Sequence, residues 1–212
     1  TILAPSEAHF DYLTFSQDGN YIYYVATRKD ADVRTLYRVS VLGGDSRKLI
    51  EDIDSPVTQS PDGKQLAFVR YSRSQETDLI VASNDGSNEK KLVTRKFSDL
   101  WIENNPAWSP DGKVIVLGVE IRGHAKEPYG LAQVSVEGGD FRVVTSKGWG
   151  AIDQIAWLGD GSGLVMSAAD QSTGWFYQIW FVRYPGGQAR KVTNDPNNYM
   201  GTSLSRLSLI HI

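Results

Sequence analysis

The chain has 212 residues, 41% of them hydrophobic, and its 22 basic and 25 acidic side chains leave a net charge of −3. Ten Tyr, seven Phe and six Trp supply enough apolar surface for a packed core, which excludes a disordered or collagen-like class. No basic stripe occurs, which argues against nucleic acid, and the lack of cysteine removes disulfides, Cys-based zinc sites and a thiol nucleophile.

Taken in chain order, residues 1–10 read as the end of a preceding blade or a linker, so the sequence looks like a piece of a longer protein. Strands follow at Tyr12–Phe15, Ile22–Val25, Leu36–Val41 and Arg47–Ile50, a first unit over 11–50. The second unit, 55–93, has strands at Pro56–Gln59, Leu66–Val69, Leu79–Ser83 and Lys90–Val93. The third, 104–145, has Pro106–Trp108, Ile115–Leu117, Leu131–Val136 and Arg142–Thr145. The fourth, 152–193, has Ile155–Trp157, Leu164–Met166, Gln178–Tyr184 and Arg190–Thr193. A fifth unit starts at 200–205, with Ser205 at its turn-opening position.

Between the first two strands of each unit stands a recurring turn: Ser16-Gln17-Asp18-Gly19, Ser60-Pro61-Asp62-Gly63, Ser109-Pro110-Asp111-Gly112 and Leu158-Gly159-Asp160-Gly161. Their glycines are 44, 49 and 49 residues apart. Ser opens such a turn, Pro presets φ, Asp bonds to local backbone and Gly accepts positive φ. The third and fourth strands are joined by Gly43-Gly44, Asp85-Gly86, Gly138-Gly139 and Gly186-Gly187, again hairpin chemistry. Four short strands per repeat of roughly 40–50 residues predict an all-β fold, a β-propeller of four-stranded antiparallel blades. The chain holds four blades and the first strand of a fifth.

The S-P-D-G-K turn, the strand Leu66-Ala67-Phe68-Val69 and the later Asn84-Asp85-Gly86 turn resemble the WD-like repeat of TolB-type propellers. The resemblance covers residues 11–205 and implies six blades in the full protein. Asp54-Ser55-Pro56-Val57, Pro106-Ala107-Trp108-Ser109 and Ile155-Ala156-Trp157-Leu158 look like the C-terminal propellers of bacterial eukaryotic-like serine/threonine kinases and winged-helix transcriptional regulators. That resemblance implies an extracytoplasmic or periplasmic sensor, anchored by a membrane helix outside this chain. Two positions depart from the pattern: Gln59 replaces the Phe or Trp before the turn, and Leu158-Gly159 replaces Ser-Pro. The tail Leu207–Ile212 is similar to translated adapter read-through, so residues 206–212 are expected to be non-native.

No catalytic constellation is legible. Ser162 lies in Gly159-Asp160-Gly161-Ser162-Gly163, a hairpin turn rather than a strand-to-helix nucleophile elbow. His9, His124 and His211 are scattered, with no metal-ligand spacing, and the kinase motifs are absent. The expectation is no catalytic residue, no metal and no cofactor. The pairs Arg47-Lys48, Lys90-Lys91 and Arg190-Lys191 fall on outermost strands, where charge discourages strand addition.

Strand order assigns the loops to faces. The first-to-second and third-to-fourth turns share one face, which carries only tight turns. The other carries segments 28–34, 72–77, 121–128 and 170–176 and connections 94–105, 146–152 and 194–200. These hold Trp101, His124, Trp149, Trp175, Phe176 and Tyr199, the candidate ligand-binding residues, and variable loops on a repeated scaffold are where recognition is usually placed. The expected function is a non-enzymatic module that binds a protein, a peptide or a small polar ligand, with no direct membrane insertion by this chain. Two rivals are a periplasmic TolB-like scaffold and the gating propeller of a prolyl-oligopeptidase-like serine hydrolase.

Overall fold

The computed structural model describes residues 2, 7–28, 33–98, 100–103, 105–121, 126–201, 203–204 and 210–211. Blade 1 is β1 (His9–Phe15), β2 (Tyr21–Thr27), β3 (Thr35–Ser40) and β4 (Arg47–Glu51). Blade 2 is β5 (Thr58–Gln59), β6 (Gln65–Tyr71), β7 (Glu76–Ser83) and β8 (Lys90–Lys96). Blade 3 is β9 (Leu100–Ile102), β10 (Ala107–Trp108), β11 (Val114–Ile121), β12 (Tyr129–Ser135) and β13 (Phe141–Val143), with β9 and β10 both pairing β11. Blade 4 is β14 (Ala151–Trp157), β15 (Gly163–Ala169), β16 (Gln178–Arg183) and β17 (Ala189–Lys191). The pair β18 (Ser203–Leu204) and β19 (Ile210–His211) follows, while Ser205 and the rest of the 206–212 tail lie outside the described residues. Within each blade the strands run antiparallel in chain order, so the protein is a four-blade β-propeller arrangement. Among the described residues there is no α-helix, and no helix is long and apolar enough to cross a membrane.

Both faces of the central strands in blades 2 and 3 are apolar because each of these blades is sandwiched between two neighbours. In β6, Leu66 and Phe68 join Tyr23, Val25, Leu36 and Ile50 of blade 1. The alternate residues Ala67 and Val69 join Ile115, Leu117 and Val119 of blade 3. Between blades 3 and 4, Val116 and Leu131 meet Leu164, Met166 and Trp180.

The repeated turns are built as their sequence dictates. Ser60 Oγ donates to Asp62 Oδ1 at 2.6 Å, and Lys64 N donates to the same oxygen at 3.1 Å. The serine hydroxyls, then the following backbone N–H groups, hold the carboxyls of Asp18, Asp62 and Asp111 below the ordinary carboxylate value. In the fourth turn Ser162 supplies the equivalent bond, its Oγ donating to Asp160 at 2.7 Å, so Ser162 is a turn residue.

A second repeated joint couples neighbouring blades. In blades 2, 3 and 4 the glycine of the third-to-fourth turn lies against the outer strand of the blade before it. A Cβ at Gly86 would stand 2.5 Å from the Leu49 carbonyl oxygen, one at Gly139 2.4 Å from that of Leu92, and one at Gly187 1.9 Å from that of Val144. Only glycine permits that approach together with the positive φ of the turn.

Candidate functional site

The long-loop end of the central axis gathers one acidic residue from the inner strand or its approach in every blade: Asp11, Asp54, Glu103 and Asp153. Each stands five or six residues before Ser16, Ser60, Ser109 or Leu158, so the repeat itself brings them to one level. Arg34 sits between the first two, its Nε 3.7 Å from Asp11 Oδ2 and its Nη1 3.7 Å from Asp54 Oδ1. Asp54 is oriented by Tyr71, whose backbone N–H donates to Oδ2 at 2.8 Å. Asp153 Oδ2 accepts from Gly201 N at 3.2 Å.

Tyrosines stand among these carboxylates. Tyr12 holds φ at +44° where β1 shifts register between Asp11 and Leu13, which turns the chain locally. Burial pushes its phenol pKa up. Arg34 opposes that shift, while Asp11, Asp54 and Asp153 reinforce it. Burial, then Glu103, does the same to Tyr71, and burial, then Asp153, to Tyr177. Glu103 is half-buried, and its carboxyl is raised above 4.5 by burial and then by Glu120. A carboxylate that is short of water and beside a like charge favours a cationic neighbour. Among the described residues no group of acidic and histidine side chains is close enough to hold a metal ion.

One wall is aromatic. Tyr71 and Trp101 lie 5.0 Å apart between ring centroids, and Phe97 meets Trp101 edge-on at 5.1 Å. Trp101 lies opposite Glu120 across the β9–β11 pair, which places an aromatic ring beside the acidic rim.

The six residues singled out by sequence have different fates. Trp101 joins the mouth. Trp175 and Phe176 are 51% and 46% exposed on the blade 4 loop, with the Trp175 ring covering Gly150. Tyr199 is half-buried and donates its hydroxyl to Asp195 at 2.7 Å. His124 lies outside the described residues. Trp149 is fully buried, so its reading as a loop aromatic with no core role is corrected: its backbone exchanges hydrogen bonds with Tyr129, and its ring meets Trp180 edge-on at 5.7 Å. Lys147 closes over that pair, with Nζ 5.0 Å from the Trp180 centroid and 3.0 Å from Asp170 Oδ2. This is a clasp between blades 3 and 4. Of the outer-strand basic pairs, Lys91 turns in to Asp78 at 2.5 Å, so part of that charge neutralises a buried carboxylate.

The carboxylates, Arg34, Tyr12 and Tyr71 are not loop aromatics and so fall outside the pattern that marked the six sequence candidates. Their signal was the acid recurring at a fixed distance ahead of each turn.

No family model matches the chain. Among solved structures it is similar to TolB from Acinetobacter baumannii, with TM-score 0.75 and 16% identity over 97% of this chain and 48% of that one. It is also similar to a chain of a nidogen/laminin complex, with TM-score 0.67 and 12% identity over 91% of this chain and 67% of that one. The β-propeller domain of the trilobed protease from Pyrococcus furiosus gives TM-score 0.57 and 17% identity, over 88% and 58% of the two chains. In sequence, 62 residues are 32% identical to the uncharacterized peptidase YuxL of Bacillus subtilis strain 168, which is 29% of this chain and 9% of that protein. The fold is that of the TolB-like β-propellers. The chain spans about half the length of the A. baumannii TolB it resembles.

Proposed function

We propose that the chain is a non-enzymatic recognition propeller that receives a protein or peptide through a basic side chain at its long-loop mouth. One observation carries this reading. Four blades contribute unlike, partly desolvated groups to that mouth (Arg34, Asp54, Tyr71, Trp101, Glu103 and Asp153), whereas the opposite rim repeats one self-satisfied turn. The excess of carboxylates over Arg34 selects a cation, and Trp101 and Tyr71 are residue types that dominate binding energy. A propeller found in complex with laminin fits the same use. The extracytoplasmic setting, and service as the sensor of a membrane-anchored kinase or transcriptional regulator, belong to this proposal.

The test is a set of immobilised peptides matched except for Lys, Ala or Glu at one position. The Lys member is expected to bind best. Trp101→Ala should weaken it by about 1–2 kcal/mol, and Lys64→Ala and Lys113→Ala should leave it unchanged. Equal retention of the Lys and Glu members, or indifference to Trp101→Ala, overturns the assignment.

A second reading, the gating propeller of a serine peptidase, is favoured by the likeness to YuxL. The complete reading frame separates the two. An α/β-hydrolase domain carrying a true G-x-S-x-G supports the peptidase, and a kinase or winged-helix domain with a membrane helix supports the sensor.

A further inference from the structure

Along the axis between the mouth and the tight-turn rim the chemistry is different. A cavity of about 510 Å³ opens there, lined by the inner strands and first turns of all four blades. That size lies within the range of small-molecule sites, about 300–1,000 Å³. None of the described residues lining it is charged, although 22% of the chain is. Its walls carry the rings of Phe15 and Trp157 and the side-chain amides of Gln17, Gln59, Asn105 and Gln154.

Several backbone groups of the inner strands are already satisfied by the neighbouring blade. Thr14 Oγ1 donates to the Val57 carbonyl at 3.2 Å, Trp108 N donates to Thr58 Oγ1 at 3.1 Å, and Trp157 Nε1 donates to the Ala107 carbonyl at 3.0 Å. An extended peptide gains affinity by adding main-chain bonds to an open strand edge, and these positions are closed to it. The ring face of Phe15 and the amide of Gln154 remain on the wall. Gln59 is fixed for the purpose of shaping the wall, its Oε1 accepting from Gln17 N at 2.6 Å and its Nε2 donating to the Gly63 carbonyl at 3.0 Å. Gln154 is exposed, and Phe15 is 60% exposed. A side-chain amide both donates and accepts, as a sugar hydroxyl does. A pyranose also offers an apolar C–H face to lie on an aromatic ring. A charged ligand would be desolvated here without an ionic partner.

We propose that this axial cavity is a binding site for a neutral mono- or disaccharide, separate from the long-loop mouth. The probes are glucose, galactose, N-acetylglucosamine and maltose, with glucuronate and glucosamine as charged counterparts, read by saturation-transfer NMR and titration calorimetry. At least one neutral sugar is expected to bind saturably, with the charged counterparts at least about tenfold weaker. Phe15→Ala and Gln154→Ala, both at exposed positions, should each weaken it about tenfold with an unchanged circular dichroism spectrum. Trp101→Ala, at the long-loop mouth, should leave sugar binding intact. The proposal fails if no neutral sugar in the panel binds, if charged and neutral sugars bind alike, or if both cavity variants bind as wild type does.

Discussion

At the residue scale, Trp149 shows how packing decides what a loop aromatic does. Flanking glycines in Gly148-Trp149-Gly150 read as an open connection, but each is there for a close approach. A Cβ at Gly148 would stand 2.1 Å from the Glu127 carbonyl oxygen, and one at Gly150 1.9 Å from the Trp175 ring. The segment is clamped, and the indole is driven between blades. Trp149→Ala should therefore cost about 3–5 kcal/mol in a urea unfolding series. Trp175→Ala, half-exposed, should cost clearly less, and equal losses would count against the distinction. Strand order placed both residues on the correct face of the fold, but burial depends on what neighbouring blades bring, which no single segment encodes. Glu103 gives a pH prediction. Its folded pKa is raised by burial and Glu120, so its favourable contribution is present below the unfolded value and lost as pH rises through the folded one. Glu103→Gln should gain in melting temperature over wild type between pH 4.5 and neutrality. A constant difference across that window would contradict the assignment.

At the element scale, the turns were the most legible feature, because Ser, Asp and Gly at fixed offsets dictate backbone geometry locally. The inner strands were less so. In blades 1 and 4 they run seven residues, in blades 2 and 3 the segment before the turn pairs over only two. Pro56 and Pro106 explain the difference, since neither can donate to a ladder and blades 1 and 4 have no proline there. The glycine joints separate local from inter-blade effects. Gly19 has φ +72° with open space around its Cβ position, whereas Gly139 has φ +71° and the Leu92 carbonyl oxygen at 2.4 Å. Gly19→Ala should cost about 1–2 kcal/mol from backbone strain alone. Gly139→Ala should add about 1–3 kcal/mol for the displaced neighbouring strand. Calorimetric melts of the two variants check this, and equal destabilisation would mean that the joint carries no inter-blade coupling.

At the scale of the whole molecule, blades 2 and 3 are covered on both faces and blades 1 and 4 are not covered equally. Val192 occupies on blade 4 the place that Leu49, Leu92 and Val144 occupy on the preceding blades, where a glycine turn covers the strand. It is 43% exposed. On blade 1, Phe10 is 46% exposed and packs its ring 5.7 Å from Tyr24, which stacks in turn on Tyr37 at 5.4 Å. Burying a side chain of this size is worth about 1.5–3 kcal/mol, so a few such contacts suffice for weak association. Contact between unlike ends is heterologous and has no built-in stopping point unless it closes a ring. Sedimentation velocity over a dilution series should therefore show association that grows with protein concentration. Val192→Asp should reduce it, because a charge on that strand opposes docking of another sheet, while leaving the melting temperature of the dilute protein unchanged. A single monomeric species at every concentration, with a sharp cooperative melt, would show that these two faces are stable against water as they stand.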